Sequence, residues 1–194
     1  MDRYVTGSTI KTLREQRRLT QAQLAEKVAV SPKAVSKWET GKGLPDISLL
    51  EPLSAALGVS VLELLSGATV VNGNKGGNLL RTKLYVCPIC GNVIHAAGAA
   101  VVSCCGVSLP ALEAEAWDED HPVTIQPVED EQFVTVRHPM TKDHYISFLA
   151  YASWDKFQLV KLYPEGSASC RFRFQGGGLL YLYCNRHGLM KQKV

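Results

Sequence analysis

All six cysteines and all five histidines of this 194-residue chain lie beyond residue 86. So complete a segregation of metal-ligating side chains implies two parts with different chemistry. Cys87-Pro88-Ile89-Cys90 is followed by Cys104-Cys105-Gly106, and Gly91 comes directly after the first pair. Two thiolate pairs joined by a short hairpin make a tetrahedral four-sulfur site, which suits iron or zinc. Adjacent cysteines must splay to reach one ion, so the second pair is expected to distort that site.

The alternative for clustered cysteines is a disulfide framework, which belongs to oxidising compartments. The N-terminus MDRYVTGSTIK lacks the apolar stretch of a signal peptide. The longest nearly apolar run, Ala96 to Val102, is about a third of the roughly 20 residues that a bilayer span needs. A cytoplasmic chain with no membrane partner is therefore expected. With 46% hydrophobic and 20% charged residues, disorder and collagen-like repeats are excluded. Residues 1–66 carry a net charge of +2, residues 67–83 add +3, and residues 84–194 sum to −2. A polyanion would meet the N-terminal end.

That end has helical periodicity: Ile10, Leu13, Leu24, Val28, Val35, Trp38, Leu49, Leu50, Leu53, Leu57, Val61, Leu62 and Leu65 recur at three- and four-residue steps. Thr20-Gln21-Ala22-Gln23 and Ser60-Val61-Leu62-Glu63 have the form of capping boxes. Ser31-Pro32 and Asp46 offer further starts, and Gly41, Gly43 and Gly58 mark stops. Pro52 is expected inside the fourth helix, where it should remove a hydrogen bond and kink the element.

Thr20 to Gly41 then reads as two helices of about eight residues joined by a tight turn, the dimensions of a helix-turn-helix. Residues 7 to 66 resemble the Cro and phage-repressor family of five-helix DNA-binding domains, through the Gln21 start, the packing position Ala25 and the ending Trp38-Glu39-x-Gly41. With Val35 and Trp38 facing inward, Lys33, Ala34 and Lys37 face outward, able to reach base edges or phosphates. Pro32 and Ser36 lie on the same helix. Gln21, Thr40 and Lys42 flank it, and the resemblance implies phosphate contacts there. Arg14 and Glu39 match an internal ion pair. The implied partner is a double-stranded operator bound by a homodimer; a merely solvated lysine face is the alternative.

Residues 67–83, SGATVVNGNKGGNLLRTK with its preceding serine, are rich in Gly and Asn and read as a linker. In residues 84–109, the Cys-x-x-Cys with a later Cys-Cys resembles desulforedoxin and the N-terminal module of desulfoferrodoxins. That implies iron on Cys87, Cys90, Cys104 and Cys105; a zinc knuckle is the alternative. His95 is expected at the surface and Cys170 as a small buried side chain.

Residues 110–194 alternate apolar and polar side chains over 123–128, 132–137, 145–151, 157–163, 170–174 and 179–183, the pattern of an immunoglobulin-like antiparallel sandwich. The whole chain is thus expected to be multidomain: an all-α five-helix domain, a small metal ribbon and an all-β sandwich. Four histidines fall at strand ends beside Cys184. Glu119-Asp120-His121, His138-Pro139-Met140 with His144-Tyr145-Ile146, and Cys184-Asn185-Arg186-His187-Gly188 resemble the catalytic domain of superoxide reductases over residues 84 to 194.

That resemblance implies an iron held by His121, His138, His144, His187 and the thiolate of Cys184, with one position open and electron density pushed through the thiolate. It implies one-electron reduction of superoxide to hydrogen peroxide, an electron donor left unidentified by the sequence, and a mobile carboxylate at Glu119. The family lysine that attracts the anion is replaced by Asp120, which weakens steering; Lys142 could compensate in part. Two functions are expected: a DNA-binding regulator whose iron domain senses or reduces superoxide, or a superoxide reductase with an accessory helix-turn-helix. A zinc-filled structural dimeriser is a third.

Overall fold

A computed structural model describes residues 3–68, 70–174 and 176–194, with side chains described from residue 6 onward. They fall into two compact units, Met1–Val70 and Val71–Val194.

In the first unit the described residues form helices α1 (Arg3–Gln16), α2 (Gln21–Lys27), α3 (Pro32–Glu39), α4 (Leu50–Leu57) and α5 (Val61–Ser66). Both capping boxes are formed, by Thr20 with Gln23 and by Ser60 with Glu63. Ser31 caps α3 through the Ala34 N–H, with Pro32 at the first helical position. The apolar stripes meet in one core of Ile10, Leu13, Leu24, Val28, Val35, Trp38, Leu53, Leu57 and Leu64; Leu62, on the same apparent stripe, is 59% exposed. Gly7 lets α1 approach α3, since a Cβ there would sit 2.2 Å from the Trp38 carbonyl oxygen.

Pro52 does not act as expected. Asp46 caps a short 3-10 turn, Ile47–Leu49, and α4 begins only at Leu50. Pro52 is then its third residue, where the missing N–H belongs to the unpaired first turn and no helical hydrogen bond is lost.

The second unit starts with a ribbon, in which β1 (Lys83–Val86) pairs antiparallel with β2 (Val93–Ala96) and β3 (Val102–Cys104) with β4 (Val107–Leu109). Then come β5 (Glu115–Ala116), β6 (Val123–Val128), β7 (Glu131–Val136), β8 (Ile146–Ala152), β9 (Phe157–Lys161), β10 (Ser169–Phe172), β11 (Leu179–Cys184) and β12 (Gly188–Lys193). They make a three-stranded sheet, β10-β7-β6, and a five-stranded sheet, β5-β12-β11-β8-β9. Val134, Val136, Ile146, Leu149, Tyr151, Phe172, Leu180 and Leu182 fill the sandwich core.

All seven residues of β8 are buried, because its second face is covered as well. Phe148, Ala150 and Ala152 pack with Leu84 of β1, and Val86 and Val93 join them. The ribbon therefore shields the outer face of the five-stranded sheet.

The segment expected as a tether is fastened to this second unit from Asn74 onward. The Asn74 amide donates to the Ala97 carbonyl, the Leu79 N–H donates to the Trp154 carbonyl at 3.0 Å, and Thr82 Oγ1 donates to the Ala96 carbonyl at 2.9 Å. Its asparagines satisfy backbone groups instead of leaving them to solvent. Among the described residues no helix is long and apolar enough to cross a membrane.

Candidate metal centres and DNA-facing helix

Cys87 follows β1, and its carbonyl accepts the Gly91 N–H at 2.9 Å across a tight turn, with Gly91 at φ 68°. Cys104 ends β3. Cys105 and Gly106 form the two-residue loop to β4, both with positive φ, 51° and 76°, the signs that a type I′ hairpin requires. This reversal splays the adjacent thiols. Sγ of Cys104 lies 3.6 Å from that of Cys90 and 3.9 Å from that of Cys105. Four sulfurs about 2.3 Å from one ion at tetrahedral corners lie about 3.8 Å apart. The expected distortion is thus taken up by the backbone of Cys105, and the donor set fits iron or zinc. The backbone N–H of Cys90 brings the Cys87 thiol down to about 7, while the thiols of Cys90, Cys104 and Cys87 push Cys105 up to about 12.

His95 stands outside both groups of metal-ligating side chains, as expected, but is less exposed than a surface residue. Its ring is half-buried and stacked on Phe157 with centroids 3.8 Å apart, so packing replaces surface exposure, and burial lowers its pKa. Cys170 is buried, which pushes its thiol up to about 12.

The second cluster follows from strand pairing. His121 precedes β6, His138 follows β7, His144 precedes β8, Cys184 ends β11 and His187 precedes β12. Because β6/β7, β8/β11 and β11/β12 are antiparallel neighbours, these five termini lie at one end of the sandwich. A register shift at Tyr183/Cys184 re-aims the strand where the thiol leaves it. The His144 turn and the Cys184-to-His187 turn are clasped: Asn185 Oδ1 accepts the Tyr145 N–H at 2.9 Å, and Arg186 Nε donates to the Asp143 carbonyl at 3.1 Å.

His121 Nε2 lies 3.0 Å from His187 Nδ1, and His138 Nε2 lies 3.1 Å from His144 Nε2. Cys184 Sγ is 3.6 Å from both His138 Nε2 and His187 Nδ1. Two nitrogens about 2.1 Å from one ion at right angles lie about 3.0 Å apart, so the spacing fits a single ion. Donor atoms of His121, His138, Cys184 and His187 all lie within 4.8 Å of one another; His144 stands outside that set, its Nε2 facing that of His138. Burial, then the neighbouring imidazoles of His144, His121 and His187, lower His138 to about 4. Burial, followed by His187 and Arg186, also lowers His144. Neutral rings keep the lone pairs that a metal needs.

Asp118, absent from the sequence expectations, accepts from His121 Nδ1 at 2.7 Å. An Asp three residues before a ligand in a turn is the signal that could have found it. Glu119 and Asp120 are exposed and line an open recess with Pro122, Arg137, His138 and Pro139. Lys142 does not line that recess; its Nζ lies 3.8 Å from Glu165. Arg137 is the cation there, with no ion-pair partner among the described residues.

On α3, Pro32, Lys33 and Lys37 are exposed and Ala34 and Ser36 half-buried, while Val35 and Trp38 are buried. Thr40 and Lys42 are exposed at the helix end, where Thr40 Oγ1 donates to the Ser36 carbonyl at 2.8 Å. Arg14 grips Glu39 with two bonds of 2.6 and 3.0 Å. Gln21 turns its amide inward, donating to Glu39 at 2.9 Å. Burial raises the Glu39 pKa, but hydrogen bonds from Arg14 and Gln21 outweigh it and leave Glu39 below its ordinary value.

A family model described as a helix-turn-helix matches residues 10–64. Over 62 residues the chain is 45% identical to the HTH-type transcriptional activator BcrR of Enterococcus faecalis, covering 32% of this chain and 30% of that protein. Over 60 residues it is 35% identical to a desulfoferrodoxin of Clostridium acetobutylicum, covering 31% of this chain and 48% of that protein. The chain thus spans less than half the length of each of these relatives. The crystal structure of the superoxide reductase from Treponema pallidum aligns with a TM-score of 0.51 at 22% identity, over 57% of this chain and 96% of that one, which shows a shared fold.

Proposed function

We propose, from the joining of an N-terminal helix-turn-helix domain to a C-terminal region homologous to desulfoferrodoxins, that this protein is a DNA-binding transcriptional regulator whose iron domain senses or reduces superoxide. The observation that carries the reading is the convergence of His121, His138, His187 and Cys184, whose donor atoms lie within 4.8 Å of one another, with His144 Nε2 3.1 Å from His138 Nε2. Iron bound there would supply the single electron that superoxide takes up.

The protein's own groups divide the remaining work. The four imidazoles of His121, His138, His144 and His187 and the Cys184 thiolate would hold the iron, and the thiolate would donate electron density to it. Glu119, exposed in the recess beside His138, would be the carboxylate within reach of the site from solvent. Arg137 offsets the two carboxylates of the recess and favours entry of a small anion. Cys87, Cys90, Cys104 and Cys105 hold a second ion, iron or zinc. In the other unit, Lys33, Ala34 and Lys37 of α3 face the operator, with Pro32 and Ser36 beside them. Gln21, Thr40 and Lys42 set the helix against phosphates. A cytoplasmic homodimer on a two-fold operator and a separate electron donor complete the reading.

The intact ligand set also favours a second reading, a superoxide reductase with an accessory DNA-binding domain. Two measurements on the full chain separate them: operator affinity in the reduced, oxidised and metal-free states, and peroxide yield from superoxide. The regulator reading predicts affinity that changes with metal state. Unchanged affinity together with rapid peroxide production leaves only the enzyme.

A further inference from the structure

We infer that Asp118 is a positioning residue for the five-donor centre, fixing the tautomer of His121 and strengthening it as a ligand. The inference rests on the reading of that centre given above. Oδ1 of Asp118 accepts three hydrogen bonds: from His121 Nδ1 at 2.7 Å, and from the backbone N–H groups of Asp120 and His121 at 3.1 Å each. A carboxylate can only accept, so the ring proton is placed on Nδ1. The lone pair is then left on Nε2, the atom that faces His187 Nδ1 at 3.0 Å.

The imidazole is 1% exposed and the Asp118 side chain 48%. The ring therefore cannot exchange this partner for solvent, whereas the carboxylate can reach the ring from the surface. Among the described residues, none of the other three imidazoles has a carboxylate within ion-pair distance. The four nitrogen donors are thus unequal. His121 is the one whose ring N–H is held by an anion, and a carboxylate behind a ligating imidazole favours the more highly charged oxidation state of a bound metal. The same oxygen closes the turn from 118 to 121, so a turn-capping role alone must be distinguished from an electronic one.

The test uses the full chain. Metal-free protein is titrated with Zn2+ while imidazole nitrogen NMR follows the five-donor centre separately from the four-sulfur site. The iron-loaded protein is then titrated electrochemically. Asp118→Ala is expected to weaken binding at that centre about 10- to 100-fold and to let His121 populate the other tautomer. Asp118→Asn keeps an oxygen acceptor and caps a turn equally well. It is expected to restore most of the affinity while shifting the iron midpoint potential upward. Parental affinity and tautomer in Asp118→Ala, or a parental potential in Asp118→Asn, overturns the inference. Failure of the unaltered protein to take up metal at the five donors overturns the centre itself.

Discussion

Ala29 carries the turn between α2 and α3 in a left-handed conformation, φ 54°, a position that glycine fills without strain. The Val30 N–H bonds the Ala25 carbonyl and the Ala29 N–H bonds that of Glu26, closing a Schellman motif around a residue with a Cβ. Ala29→Gly is expected to stabilise the helical unit by about 0.5–1 kcal/mol, read as a higher urea midpoint in helical circular dichroism. Glu39 contributes to the acid limit of the same unit, along with the capping carboxylates Asp46 and Glu63. Its folded pKa lies below the ordinary 4.5, so its stabilisation is present above that value and lost as pH falls through the folded pKa. Stability should decline below about pH 4.5, and the decline should flatten in Glu39→Gln; an unchanged profile would contradict this role. At the recess, Arg137→Glu is expected to slow the proposed reaction with superoxide several-fold and alter its salt dependence. Lys142→Ala, already beside Glu165 and outside the recess, should change little. Stopped-flow rates at two ionic strengths decide between them. Sequence pattern pointed to the five candidate donors because they stand in three motifs spaced in order along the chain. Asp118 escaped although its three-residue spacing to His121 was there to be read, whereas Arg137 escaped because a recess wall depends on how loops meet, not on spacing along the chain.

At the scale of elements, helix starts were legible because caps are local: Thr20, Ser31 and Ser60 each accept the N–H three residues on. The start of α4 was not, because Asp46 caps a 3-10 turn that delays the helix by one turn and renders Pro52 harmless. Six strands announced themselves by alternation. β12 did not, since only Leu189 and Met190 are buried before an exposed Lys191-Gln192-Lys193. The β3–β4 hairpin shows what a turn contributes to chemistry, because its left-handed pair Cys105-Gly106 is what lets neighbouring thiols face one ion. Gly106→Val puts a β-branched side chain at φ 76° and is expected to strip metal from the four-sulfur site while the five-donor centre keeps its own, as metal analysis would reveal. On α3, Lys33→Ala and Lys37→Ala should each weaken operator binding and lower the salt slope by about 1 if the lysine meets a phosphate. A slope unmoved by both would assign them to solvent.

For the whole molecule, the division into a basic helical part without metal ligands and a β-rich part holding all of them was readable from residue positions alone. Less visible was how much of the Gly- and Asn-rich stretch belongs to the second part. Asn74, Leu79 and Thr82 fasten it there by side-chain and backbone hydrogen bonds that composition does not announce. The ribbon likewise covers a sheet face as well as carrying thiols, so loss of its metal is expected to loosen the packing around Leu84, Phe148 and Leu189. The account as a whole turns on the proposed thiolate-ligated iron, held by five side chains from three inter-strand connections. Anaerobic iron loading of the full chain, followed by iron content and visible absorption on oxidation, tests it most directly against Cys184→Ser. The account predicts a sulfur-to-iron charge-transfer band from the five-donor centre in the parent that disappears in the variant while the four-sulfur signal stays. A parent without that band, or a Cys184→Ser protein that retains it, would contradict the account.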